Sequence, residues 1–341
     1  MRLALIGNGG VGKAFVQLLL DKSGLLRKEL MDVQMNYVLD SKGGIYNPAG
    51  IDLKRLAEFN HSGLPLMQFP GDGSDRITFD LLLANGGVDV VVELTPSNLA
   101  TGEPGMTHIA SALQMGWHVI TGNKGPVMLA WHDLNRLAAS KGVKLMVGCT
   151  TGGALPAING GMIDLAGAEI LSIEGVLNGT TNFILEEMEH GGYTYEEALV
   201  NAQAAGIAET NPSQDVEGWD TSAKLLILSN ILMNESKSLQ DVAVKGITAL
   251  TPQDIQEAAR DGLKIKLVGR ASYQDDQLIM TVRPEALPPD HPLSHTNGKN
   301  KAVRFVTDTL GELMITGGAS GTRAAAAAIL RDVLFIHRMG R

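Results

Sequence analysis

Short apolar runs alternate with amphipathic stretches along the first 150 residues. Residues 3–6 (LALI), 35–39 (MNYVL), 88–92 (VDVVV), 118–120 (HVI) and 144–147 (KLMV) read as strands. Runs so nearly unbroken suit a sheet covered on both faces. Between them, residues 11–20, 107–115 and 127–140 set apolar side chains at helical spacing. The alternation predicts an α/β fold, with a doubly wound, parallel, Rossmann-type sheet over residues 1–150.

Beyond Gly148 the rhythm changes. A small-residue loop, Thr150-Thr151-Gly152-Gly153-Ala154, leads through a helix to a strand near 170–177. Helices are predicted near 180–190, 194–206 and 217–233, then β-rich segments at 263–271, 278–282, 301–306 and 313–316. This is an α+β domain over 151–317. Residues 284–300, with four prolines and two histidines, read as an exposed loop. A closing helix at 322–338 is entered through Gly317-Gly318-Ala319-Ser320-Gly321, and residues 318–341 are expected to pack back on the first domain.

Composition removes several function classes. The formal net charge is −9 and aromatics are only 4%, so the chain lacks the basic, stacking surface a nucleic acid needs. No apolar run approaches the length of a membrane span, and the apolar stretch after Met1 is too short for a signal peptide. One cysteine, Cys149, excludes an intrachain disulfide. A soluble, cytoplasmic protein is expected. The eight histidines show no metal-ligand spacing, which argues against a catalytic transition metal.

The 40 glycines cluster at a few loops, and the first is the most informative. Gly7-Asn8-Gly9-Gly10-Val11-Gly12 fits G-x-G-x-x-G directly after a predicted strand and at the opening of a helix. Gly7 permits the tight turn, Gly9 lets a pyrophosphate approach the backbone, and Gly12 lets helix and strand pack closely. The helix N-terminus adds free N–H groups and a favourable dipole. At the end of the second strand, Asp40 suits an adenosine ribose and favours NAD. Lys42 with Ser41 could instead hold the 2′-phosphate of NADP.

Two polar loops follow later strands: Glu-Leu-Thr-Pro-Ser-Asn at 93–98 and Thr-Gly-Asn-Lys-Gly-Pro at 121–126. Ligands of doubly wound sheets bind beyond the carboxyl ends of strands, so both loops should line one crevice. Lys124 there is a candidate for polarising a carbonyl. The densest polar run is GIAETNPSQDVEGWDTSAK at 206–224. Asp220 and Lys224 are four apart on a predicted helix, hence on one face. An ordinary surface ion pair would look the same, but Leu-Leu-Ile-Leu follows Lys224, so this helix is substantially buried. With Glu209, Asp215 and Glu217 nearby, a polar pocket is expected, its carboxylates able to hold an ammonium and its lysine able to act as an acid.

Together these residues resemble homoserine dehydrogenase, over nearly the whole chain. The resemblance rests mainly on Gly-Val-Leu-Asn-Gly-Thr-Thr-Asn-Phe-Ile at 175–184 and on the 206–224 run. It implies reversible reduction of L-aspartate 4-semialdehyde to L-homoserine with NAD(P)H, on the route to threonine and methionine. Lys224 and Lys124 would be the catalytic lysines, Asp220 orienting Lys224. Glu209 and Asp215 would grip the substrate amino group, with Gly179 and Thr180 also at the substrate. Gly7, Gly9, Gly10, Val11, Gly12, Asp40, Thr95, Pro96, Lys124 and Gly321 would contact the cofactor. Carbonyls of Gly148, Thr151, Gly153 and Leu155 would hold Na+ or K+, although family members often carry a glutamate where this chain has Gly148. A homodimer through the second domain is implied, and no feedback inhibition by threonine through a C-terminal regulatory domain.

Two other readings fit parts of the sequence. Cys149-Thr150-Thr151 looks like the nucleophile segment of glyceraldehyde-3-phosphate dehydrogenase, but its thiol needs an activating histidine. The next one, His190, stands before two glycines that read as a helix cap, so Cys149 is expected to be a small buried residue. A non-catalytic dinucleotide sensor would have no use for Lys124, Lys224, Glu209 and Asp215.

Overall fold

A computed structural model describes residues 1–340. The chain divides into two compact units: Met1–Thr150 with the segment from Gly321 onward, and Thr151–Ser320.

The first unit is built on seven strands, β1 (Arg2–Ile6), β2 (Gln34–Asp40), β3 (Gly43–Tyr46), β4 (Gly73–Ser74), β5 (Val90–Glu93), β6 (His118–Thr121) and β7 (Leu145–Met146), in the order β4-β3-β2-β1-β5-β6-β7. Strands β2, β1, β5, β6 and β7 run parallel, while β3 and β4 add an antiparallel edge. Helices α1 (Gly10–Asp21), α2 (Ser23–Lys28), α3 (Leu53–His61), α4 (Phe79–Asn85), α5 (Gly105–Gln114) and α6 (Lys124–Ser140) follow in chain order. Leu3, Leu5, Val90 and Val92 of the central strands are fully buried, and Phe15, Val16 and Leu19 of α1 join the same core. So do Ala326, Ile329 and Val333 of the closing helix (Thr322–Met339). The chain leaves β1 for β2 on one side and returns to β5 on the other. That reversal at β1 is where an open α/β sheet splits to admit a ligand, and the glycine loop sits on it.

Residues 43–85 depart from the parallel expectation. They hold the edge strands β3 and β4 and the helices α3 and α4, none of which the apolar pattern announces. The helices were nevertheless signalled by their caps. Asp52 accepts from the amides of Lys54 and Arg55, and Thr78 from Leu81.

The second unit carries a six-stranded sheet in the order β13-β12-β8-β10-β11-β9. Its strands are β8 (Ile170–Val176), β9 (Val242–Val244), β10 (Lys264–Gln274), β11 (Gln277–Leu287), β12 (Lys301–Thr307) and β13 (Glu312–Gly317). Its helices are α7 (Ala157–Asn159), α8 (Gly179–Gly191), α9 (Tyr195–Ala204), α10 (Ser213–Val216), α11 (Trp219–Leu232) and α12 (Pro252–Arg260). Gly192 closes α8 in the left-handed conformation at φ 65°, as the His-Gly-Gly sequence predicts.

The expected exposed loop at 284–300 is corrected. Strand β11 runs on to Leu287, and Leu293, Ser294 and Thr296 are buried. The cause is Lys266, only 1% exposed, whose ammonium bonds the carbonyl of Thr296 (2.7 Å) and Asn182 Oδ1 (2.9 Å) and approaches Glu186 (3.4 Å). Asn182 Nδ2 donates to the carbonyls of Thr296 and Gly298, and Glu186 accepts from the Gly298 amide. Burial pushes the Lys266 pKa down despite Glu186. The segment is therefore strapped to the first turns of α8.

Candidate active site

In the first unit, the β1–α1 turn opens a cavity of about 890 Å³ lined by Gly7, Gly9, Gly10, Val11, Asp40, Ser41, Thr95 and Pro96 among others. The three motif glycines do different jobs. Gly7 has φ +100°, and a Cβ there would stand 2.6 Å from the Leu94 carbonyl carbon. A Cβ on Gly12 would stand 2.2 Å from the Gly7 carbonyl oxygen. A Cβ on Gly9 would meet nothing within 4 Å. Gly7 and Gly12 thus serve the fold, while the bareness of Gly9 serves only what enters the cavity. An open backbone beside free helix N–H groups fits a pyrophosphate.

Asp40 lines the same cavity at the end of β2, one oxygen taking the Lys42 amide at 2.7 Å. Lys42 is exposed and outside the lining. Gly12, Lys124 and Gly321 also lie outside it. Gly321, φ +96°, precedes Thr322, whose methyl lies 2.9 Å from where a Cβ of Gly10 would stand.

The loops after β5 and β6 are tied by a buried carboxylate that the sequence reading did not single out. Glu93 is 0% exposed and bonds the Thr95 hydroxyl and amide and the Thr121 hydroxyl. Asn123 caps α6 through the Gly125 amide and reaches Thr95 Oγ1 at 3.2 Å, and the Lys124 amide donates to Ser97 Oγ at 3.0 Å. Lys124 is therefore the first residue of α6, on a loop pair held rigid from below.

Cys149 lacks the environment of a nucleophile. Its thiol faces the Ala325 carbonyl, and burial together with Asp332 pushes its pKa up to about 11. Cys149→Ser should leave kcat within about twofold in a steady-state assay, since a thiol whose pKa is pushed up to about 11 supplies no thiolate for the reaction to lose.

In the second unit, the end of β8 gathers the polar run. Asn178 caps α8 by accepting from the Thr181 amide at 3.0 Å. Its Nδ2 donates to Asp215 Oδ1 (2.6 Å) and to Asp220 Oδ2 (2.9 Å). Lys224 Nζ pairs with Asp220 at 2.5 Å and donates to the Leu177 carbonyl at 2.8 Å, with both side chains 13% exposed. Asp215, Asp220 and Lys224 are thus brought together through Asn178, a hub the motif contained but whose role no spacing disclosed. Gly179 is required where it stands, because a Cβ would lie 2.5 Å from the Lys299 carbonyl oxygen. The Thr180 hydroxyl donates to the Ile207 carbonyl at 3.2 Å, tying α8 to the 206–209 segment. The side chains of Glu209 and Glu217 are exposed and stand outside the network, Glu217 taking the Trp219 indole N–H at 3.1 Å.

Lys224 has three N–H donors, of which Asp220 and Leu177 take two. The third is available to a ligand oxygen, and a lysine so held can both stabilise and protonate a developing alkoxide. Residues 148–154 form successive turns, and the Thr151 hydroxyl is buried without a hydrogen-bond partner among the described residues. Among the described residues, no group of three or more His, Cys, Asp or Glu suits a metal ion, and no helix is long and apolar enough to cross a membrane.

Residues 7–148 match the NAD-binding domain of homoserine dehydrogenase, and residues 156–334 match the homoserine dehydrogenase family. The homoserine dehydrogenase of Methanocaldococcus jannaschii is 40% identical over 99% of this chain and 98% of its own. The NAD(+)-dependent homoserine dehydrogenase of Pseudomonas canavaninivorans is 36% identical over 99% and 96%. A crystal structure of a putative homoserine dehydrogenase from Archaeoglobus fulgidus superposes with TM-score 0.88 at 34% identity, covering 98% of this chain and 99% of that one. The chain belongs to the homoserine dehydrogenase family, NAD(P)-dependent oxidoreductases that act on a CH–OH group.

Proposed function

We propose that the protein catalyses the reversible reduction of L-aspartate 4-semialdehyde to L-homoserine, in the biosynthesis of threonine and methionine. The observation that carries this reading is the Asn178–Asp215–Asp220–Lys224 network, which sets a held ammonium among carboxylates. An amino-acid aldehyde has the complementary groups: an ammonium for carboxylates and a carbonyl oxygen for the lysine.

The cofactor residues are Gly7, Gly9, Gly10, Val11 and Gly12 around the pyrophosphate, Asp40 at the ribose, and Thr95, Pro96, Lys124 and Gly321 towards the nicotinamide. When bound, the reduced nicotinamide supplies the hydride. Lys224 gives its proton to the substrate's aldehyde oxygen as that oxygen gains charge, and Asp220 keeps the ammonium aimed. Lys124 is the second catalytic lysine, with the role of polarising a carbonyl. Glu209 and Asp215 bind the substrate ammonium, and the amides of Gly179 and Thr180 take part in holding the substrate. In the reverse direction a neutral Lys224 accepts the hydroxyl proton.

Asp40 favours NAD, because a carboxylate at the ribose repels a 2′-phosphate. Na+ or K+ on the carbonyls of Gly148, Thr151, Gly153 and Leu155 belongs to the same reading, supported by the unsatisfied Thr151 hydroxyl. Leu155 already accepts from the Ala157 amide at 2.9 Å, so its second lone pair would be the ligand. Cytoplasmic location and a homodimer through the second unit complete the proposal, the latter supported by Leu171 and Tyr273, which stay 44% and 41% exposed on the sheet.

The test is loss of nicotinamide absorbance when the purified protein meets aspartate semialdehyde with NADH or with NADPH. Equimolar homoserine should form, faster with NADH. Cofactor binding without turnover on this aldehyde would contradict the reading.

A further inference from the structure

Three lysines of the second unit are largely buried, and two have carboxylate partners: Lys224 has Asp220 and Lys266 has Glu186. The third does not. Lys301, first residue of β12, is 6% exposed. Among the described residues its ammonium bonds Ser320 Oγ at 3.0 Å and has no carboxylate within ion-pair distance. A buried cation without a counter-charge is costly, and folds retain one when something else supplies the charge.

Its position suggests what does. Strand β12 pairs with β8 through Ala302 and Val176. Lys301 therefore stands beside Leu177, whose carbonyl holds Lys224. The Lys299 carbonyl packs against Gly179 at the start of α8, two residues away along the chain. Burial and the neighbouring charge of Lys224 push the Lys301 pKa down to about 8, against the pull of Asp220. At neutral pH the group is still mostly an ammonium.

In the proposed reaction the aldehyde oxygen meets Lys224 and the substrate ammonium meets Glu209 and Asp215, which leaves the substrate's α-carboxylate without a cation. We propose that Lys301 is a substrate-binding residue that pairs with this α-carboxylate and makes the enzyme select amino acids over simple amino alcohols. The inference rests on the proposed substrate. It adds that the missing counter-charge of Lys301 arrives with that substrate, and that Ser320 holds the ammonium ready for it.

The test compares two alcohols in the oxidative direction with NAD+: L-homoserine, and 3-aminopropan-1-ol, which keeps the ammonium and hydroxyl but lacks the carboxylate. Wild type should strongly prefer homoserine. Lys301→Met should raise the KM for homoserine by about 30-fold with kcat little changed, the size expected for one charged hydrogen bond. Its kcat/KM for 3-aminopropan-1-ol should not fall. Lys301→Gln, neutral and of similar reach, should repeat the pattern and covers the case of a misfolded methionine variant. Equal losses on both substrates, a loss confined to kcat, or no change in the homoserine KM would overturn the proposal and leave the enzyme's reaction standing. A wild-type enzyme inert towards homoserine would instead overturn the proposed reaction, and this assignment with it.

Discussion

Lys224→Ala should lower kcat for aspartate semialdehyde reduction by about a thousandfold, within the range that a positioned general acid contributes. In the proposed reaction the side chain's ammonium is the acid, and two bonds hold it, to Asp220 at 2.5 Å and to the Leu177 carbonyl at 2.8 Å. Alanine removes all of it. The truncation also takes from Asp220, itself 13% exposed, its lysine partner, and breaking such a largely buried pair costs about 3–5 kcal/mol. Lost activity must therefore be separated from lost fold. The separation is available because the residues proposed to bind the nucleotide belong to the other compact unit. The variant should quench or enhance NADH fluorescence with an affinity near wild type while turning over a thousandfold more slowly. A rate within tenfold of wild type would remove Lys224 from the chemistry.

The second large effect concerns the glycine loop, where two substitutions of the same size should fail for different reasons. Gly12→Ala sets a methyl 2.2 Å from the Gly7 carbonyl oxygen, so α1 must move off β1. Because the obstacle is backbone, the cost lies at or above the upper end of the roughly 1–3 kcal/mol typical of overpacking. Tm and NADH affinity should both fall. Gly9→Ala meets nothing within 4 Å and has an ordinary φ of −76°, so Tm should hold. Its methyl instead occupies the space a pyrophosphate needs, and the NADH Kd should rise by about tenfold or more. Calorimetric Tm and fluorescence titration distinguish the two. Unchanged NADH affinity in Gly9→Ala would mean that the cofactor binds elsewhere.

How much of this was legible in the sequence depended on whether the signal was local. The parallel strands were legible because burial on both faces leaves uninterrupted apolar runs, as in Val90-Val91-Val92. The glycine loop was legible because its chemistry lies within six residues. The edge strands β3 and β4 were not, since Gly43-Gly44-Ile45-Tyr46 has too few side chains to show a period. Asn178 was visible in its motif, yet its bridge from Asp215 to Asp220 depends on α8, α10 and α11 converging, which no spacing encodes. The strap on residues 296–298 was hidden in the same way. The prolines and histidines of residues 284–300 read as surface, and the lysine that buries the 296–298 segment comes from β10, some 30 residues earlier. Lys301 carries no signal of its own in the sequence, because a lysine at a strand end reads as solvated, whereas here it is 6% exposed.

The central claim is hydride transfer to an amino-acid aldehyde, and isotope transfer tests it most directly. The protein would be incubated with aspartate semialdehyde and NADH deuterated at the transferable position of its nicotinamide, and the product examined by mass spectrometry and NMR. The account predicts homoserine carrying one deuterium on the carbon that bears the new hydroxyl. Homoserine without deuterium, or no homoserine beside intact cofactor binding, would contradict it.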